Sequence, residues 1–174
     1  MDFIKENRGL FTFEGIAFLL LGILAIAFPV VFTFGFTIFL GWLFLIGGII
    51  QLIRSFKLWH TPGIYASLLT GLLAIIIGFL MIANPWRGVL TLTMLLTIFF
   101  FIEGIAKIAY AISVREYSNW GWILFSGLIA IAMGAIIVSG WPGTALWVIG
   151  LLVGIDLLFF GISLLSLVYS APKG

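Results

Sequence analysis

The sequence predicts an all-α polytopic membrane protein, whose six transmembrane helices form three tandem helical hairpins in a parallel pseudo-threefold repeat. Three observations predict it: a composition too apolar for water, six apolar runs of spanning length, and a glycine and proline register that occurs three times at a fixed interval. Of 174 residues, 64% are apolar and 8% are charged, against roughly 45–50% and about 25% in soluble domains. A water-soluble fold of this size has nowhere to hide so much apolar surface. In lipid, a run of about 20 apolar residues crosses the hydrocarbon as a helix, because every backbone donor and acceptor is satisfied within it.

The first run, 10–28, follows Lys5 and Arg8 and stops at Pro29. Its Ala25-Ile26-Ala27 has the small-residue spacing of a signal-peptidase site. Cleavage is not expected, because the run is too long for a signal, carries Glu14, and shares its glycine and proline spacing with two later segments. The second run, 32–53, is closed by Arg54 and Lys57, and a loop with Trp59 and His60 follows. The third, 63–83, stops at Pro85; the fourth, 88–112, carries Glu103 and Lys107 and is closed by Arg115. The fifth, 120–139, leads to Pro142, and the sixth, 144–169, carries Asp156. None alternates apolar and polar residues with period two, as a barrel strand with a polar lumen would. The chain reads as a single transmembrane domain, 1–174, with repeats at about 9–57, 63–115 and 119–170 and no soluble domain, linker or low-complexity tail.

The register supplies the repeat. Gly15, Gly22 and Pro29 recur as Gly71, Gly78 and Pro85 and again as Gly127, Gly134 and Pro142, at an offset of 56 that grows by one only at the last proline. Twelve and nineteen residues after each proline come Gly41 and Gly48, then Thr97 and Gly104, then Gly154 and Gly161. Residues seven apart share a helix face, and small residues there let backbones approach where lipid gives no hydrophobic drive. Gly150 and Gly154 add a GxxxG pair. Each proline stops one helix and suits the first turn of the next, so each repeat is predicted to be helix, tight turn, helix. An even number of spans per repeat makes all three hairpins insert the same way. Lys5, Arg8, Arg54, Lys57, Arg115 and Lys173 then fall on one side, with Lys107 near it and only Arg87 opposite, which predicts cytoplasmic termini. Trp59, Trp120 and Trp122 on that side, and Trp86, Trp141 and Trp147 on the other, fit interfacial belts.

The segments GIAFLLLGILAIAFP, GLLAIIIGFLMIANP and GLIAIAMGAIIVSGWP, with IEGIAKIAYAI and LLVGIDLLFFGISLL after two of them, resemble the HdeD family of bacterial acid-resistance membrane proteins. The similarity runs over about residues 9–170. It implies a multi-pass protein of the bacterial inner (plasma) membrane connected with survival in acid. The first repeat departs from the second by having Gly47 and Gln51 where the second has Glu103 and Lys107.

With no cysteine there is no thiolate nucleophile, disulfide or thiolate metal site. No HExxH, Walker or GxGxxG context occurs, and the glycines lie inside apolar helices, so no enzyme, metal or cofactor is expected. Eight basic residues spread over six helices make no patch for nucleic acid. His60 titrates in the range of an acid-stressed cytoplasm, but reads first as a solvated loop residue.

The candidate intramembrane polar site is therefore Asp156, Glu103, Lys107 and Glu14. Asp156 lies about 12 residues from either end of its run, near mid-span, where an acid costs roughly 2.5–3.5 kcal/mol. It is expected to face the other helices, either as a proton-binding or pore-lining group or, preferably, as a neutral acid bonded to a neighbour. Glu103 and Lys107 are an i, i+4 pair that neutralises itself; a relay from Glu103 to Asp156 requires their helices to touch. Glu14 is expected to snorkel or pair with a basic loop residue. Two functions follow: a stress-protective protein acting by its contacts with the lipid bilayer, with another membrane protein or with its own copies, or a small proton or solute channel using Asp156. The scarcity of polar residues and broken helices favours the first.

Overall fold

A computed structural model describes residues 7–57, 63–117 and 119–170. They form six α-helices: α1 (Arg8–Ala27), α2 (Pro29–Lys57), α3 (Ile64–Ala83), α4 (Pro85–Ser113), α5 (Trp120–Ser139) and α6 (Ala145–Ser170). All six are long and apolar enough to cross a membrane. In the most apolar stretch of each, only 17–28% of residues are buried, so the solvent these helices are built for is hydrocarbon. Lys5, Trp59, His60 and Lys173 lie outside the described residues.

The period of the glycine register reappears in the helix limits. The odd helices start at 8, 64 and 120 and end at 27, 83 and 139. Each has 20 residues, about 30 Å and one hydrocarbon thickness. The 29 residues of α2 and of α4 reach roughly 43 Å, and Arg54 and Lys57 sit in the overhang that ends α2.

Pro29 and Pro85 are the first residues of α2 and α4, where a missing N–H costs nothing. These helices therefore begin three residues before the apolar runs at 32 and 88. Asn84 caps α4 by accepting a hydrogen bond from Arg87 N at 3.3 Å. The third turn differs. Pro142 lies three residues ahead of α6, and the gap is closed by Thr144 Oγ1 donating to Ile137 O at 2.7 Å and by Ala145 N donating to Pro142 O at 3.2 Å. Pro142 thus belongs to a longer turn and not to the first turn of a helix.

Two compact units are distinguishable, Phe34–Ala145, and Met1–Thr33 with Leu146–Gly174. In the first, α2 meets α3 through glycines: a Cβ on Gly48 would lie 2.7 Å from Gly71 O, and one on Gly41 3.1 Å from Gly78 O. The same contact recurs between α4 and α5, where a Cβ on Gly104 would lie 2.8 Å from Gly127 O and Gly134 faces the Phe101 ring. The proline-linked pair α3 and α4 meets at Gly88, which faces Met81 beside the turn.

In the second unit α1 meets α6 by the equivalent contact. A Cβ on Gly161 would lie 2.8 Å from Gly15 O, and one on Gly22 2.9 Å from Gly154 O. Gly150 packs against the carbonyl of Pro29. Arg8 Nη2 donates to Val168 O at 2.9 Å, tying the start of α1 to the end of α6, and Phe18 meets Phe160 edge-on at 4.9 Å. The closest backbone contacts in both units thus join helices that no proline turn connects.

Candidate intramembrane polar sites

The α4–α5 contact carries the one charged pair described inside a span. Glu103 and Lys107 lie one turn apart on α4, and Lys107 Nζ reaches Glu103 Oε1 at 2.6 Å, the two side chains being 30% and 37% exposed. The pairing at i, i+4 follows from helix geometry alone. Lys107 also donates to Ser126 Oγ on α5 at 3.0 Å. Ser126 is six residues into α5, about 9 Å from its end. One ammonium therefore holds its own acid and the next helix together.

The α2–α3 contact repeats this with neutral groups. Gln51 occupies the position in the first repeat that Lys107 occupies in the second, and Thr70 the position of Ser126 one repeat earlier. Gln51 Nε2 donates to Thr70 Oγ1 at 2.6 Å and to Ser67 O at 3.0 Å. Ser55 and Ser67 hydroxyls bond at 2.7 Å beside them. At the α1–α6 contact the same register places Glu14 opposite Leu164. Glu14 is exposed there and has no polar partner among the described residues. The contacts are thus amide to hydroxyl and ammonium to hydroxyl, and the register sets an acid beside leucine in the third place.

Asp156 is exposed on α6, against the expectation that it would face other helices, and it too has no polar partner among the described residues. It belongs to the unit of α1 and α6, whereas Glu103 and Lys107 belong to the other. Its neighbour Gly154 holds the buried face against Ala25 and Ile26, and two residues further round the helix turns the carboxyl away from that contact.

Of the buried threonines, only Thr97 stands out in the sequence, as a position of the register. Thr33 Oγ1 accepts from Gly150 N at 2.8 Å, and Thr97 Oγ1 donates to Thr93 O at 2.7 Å. Thr33, Thr37 and Thr93 are fully buried, and Thr93 Oγ1 has no hydrogen-bond partner among the described residues. Their signal is the i, i+4 spacing of 33 with 37 and of 93 with 97, two polar pairs each on one face of an apolar helix. At the proline-turn end of α4 an open groove of about 470 Å³ is lined by Arg87, Leu90, Thr91, Met94 and Trp141. Neither Asp156 nor the Glu103–Lys107 pair contributes to it. No three Asp, Glu or His side chains among the described residues converge as a metal site requires.

The chain matches the family described as a short repeat of unknown function (DUF308) twice over, at residues 13–82 and 69–139. The second match follows the first by one period of the glycine register and of the helix limits. Protein HdeD of Escherichia coli (strain K12), of Escherichia coli O157:H7 and of Shigella flexneri are each 23% identical over 171 residues, covering 95% of this chain and 88% of the relative. No solved structure matches. With six apolar helices, a glycine register repeated along the chain and two consecutive matches to its repeat, the chain belongs to the DUF308 short-repeat family and is a membrane protein of the HdeD type.

Proposed function

We propose that this protein, seated in the bacterial inner membrane with both termini cytoplasmic, supports survival in acid through contacts with lipids and membrane partners, and neither catalyses a reaction nor moves a solute. The observation that carries this reading is how polar groups within the spans are spent. Lys107 holds Glu103 and Ser126, Gln51 holds Thr70 and Ser67, and glycine contacts bring backbones too close to leave a path between them. Such a use of polar residues fixes helices, whereas a transport path keeps them available to a substrate. The likeness to HdeD supports the acid connection. Arg8, Arg54, Lys57 and Arg115 at one set of helix ends, with Arg87 at the other, support the orientation. The proposal includes the parallel pseudo-threefold relation of three hairpins, supported by the recurrence of the glycine contacts at equivalent positions of the register.

The deciding experiment measures acid survival of cells that depend on this protein, together with proton flux in liposomes holding it under a pH gradient. Asp156→Asn is expected to leave survival unchanged, and the wild type to show no flux above empty liposomes. The competing channel reading draws on the exposed and unpartnered carboxyl of Asp156. A flux abolished by Asp156→Asn would establish it and overturn the proposal.

A further inference from the structure

We propose that the groove at the proline-turn end of α4 is a binding site for an anionic phospholipid, which sets its phosphate on Arg87 and one acyl chain along Leu90 and Met94 against Trp141. Arg87, Leu90, Thr91 and Met94 follow one another at i, i+3, i+4 and i+7, a single face of α4, and Trp141 from the turn before α6 makes the opposite wall. Polarity is graded along that face. Arg87 stands at the mouth, while Leu90 and Met94 lie about 4.5 and 10.5 Å deeper at 1.5 Å per residue. A headgroup-level charge above a two-turn apolar trough matches a phospholipid and no small hydrophilic anion.

The mouth is prepared for a phosphate. The Arg87 backbone is fixed by the Asn84 cap at 3.3 Å, and the guanidinium has no polar partner among the described residues. Thr91 Oγ1 is committed to Arg87 O at 2.9 Å, so the free side-chain donors of the groove among the described residues are the Arg87 guanidinium and the Trp141 indole N–H, of which only the first is charged. A guanidinium fork pairs with two phosphate oxygens at once. Zwitterionic headgroups bring an ammonium that this cation repels, which selects for anionic lipid. Trp86, whose ring stacks on Phe34, and Trp141 are both exposed and place the mouth at the depth where aromatic belts meet headgroups. This site extends the lipid contacts proposed above; retention is measured on pure protein and acid survival in cells, so the two readings fail separately.

Native mass spectrometry of the detergent-purified protein, given equal phosphatidylglycerol and phosphatidylcholine, tests it. The wild type is expected to retain phosphatidylglycerol over phosphatidylcholine by about tenfold, the order of one charge-assisted hydrogen-bonded pair. Arg87→Gln is expected to remove the preference and Arg87→Lys to keep part of it, while Arg54→Gln, at the opposite end of the spans, leaves it intact. Leu90→Trp fills the trough without changing charge and is expected to lower retention as well. Undiminished preference in Arg87→Gln, or undiminished retention in Leu90→Trp, would overturn the site. Displacement of the lipid by millimolar inorganic phosphate would overturn it too, by making a free anion the ligand.

Discussion

Gly47 and Gly48 are adjacent on α2, and the structure gives their alanine variants opposite signs. A Cβ on Gly48 would lie 2.7 Å from Gly71 O, 2.7 Å from Ile75 Cγ1 and 2.9 Å from Ile75 N, where ordinary contact begins at 3.4 Å. Two of those atoms are backbone and cannot rotate away, so α3 must retreat by about 0.7 Å. Such overpacking costs about 1–3 kcal/mol. Gly47 has nothing within 4 Å of its Cβ position, so its alanine keeps only the propensity gain, about 0.5–1 kcal/mol. Gly71, on the other side of the same contact, meets first the Leu52 side chain at 3.0 Å, which can move, so Gly71→Ala is expected to cost less than Gly48→Ala. Reversible unfolding in mixed dodecyl maltoside and dodecyl sulfate micelles, followed by circular dichroism, measures all three. Equal stability of the Gly47→Ala and Gly48→Ala proteins would refute the claim that close backbone approach holds these helices.

Three further outcomes follow from the polar contacts and the register. A double-mutant cycle on Lys107→Met and Ser126→Ala is expected to show a coupling of about 0.6 kcal/mol in the same assay, the usual scale for hydrogen bonds between transmembrane helices; additive losses would remove Lys107 from the α4–α5 contact. Leu164→Lys places an ammonium opposite Glu14, where Lys107 stands opposite Ser126, and is expected to stabilise the protein, whereas Leu164→Met is expected to be neutral. Spin labels at Ile49, Ile105 and Ile162, equivalent in the register and all exposed, are expected to give three equal pairwise distances by pulsed electron resonance, and clearly unequal ones would exclude the pseudo-threefold relation.

The helices were legible because lipid imposes a plain requirement, a long apolar run, and the limits of 120–139 agree to the residue. Where limits shifted, as at Pro29 and Pro85, the cause is that proline opens a helix as readily as it ends one. The glycine register disclosed which positions are equivalent but not which touch, since one period fits pairing across the proline turn or across the loop. The same register already aligned Gln51 with Lys107 and Thr70 with Ser126, a signal hidden because neutral polar residues look unremarkable one at a time. The orientation of Asp156 was not legible. A helix that is apolar all round carries no stripe to say which side faces protein, and an acid in the middle of α6 on its exposed face breaks the expectation that cost drives it inward.

The union of α1 with α6 bears on how the chain is made. Gly15 and Gly161 stand in the first and last helices, yet they form the contact that Gly48 forms with Gly71 across a single loop. During synthesis α2 can settle on α3, and α4 on α5, soon after each pair has emerged. The first helix has to wait for the last, with its glycine face bare to lipid or to a chaperone meanwhile. Long-range closure of this kind is slow relative to local pairing, so α1 is the helix that late truncations strand. By the same logic, a gene opened between α2 and α3 and joined end to end by a short linker turns that late contact into an early one and makes the α2–α3 contact the late one. In such a permuted chain α3 waits for α2, so α3 and not α1 is expected to be the helix that late truncations strand.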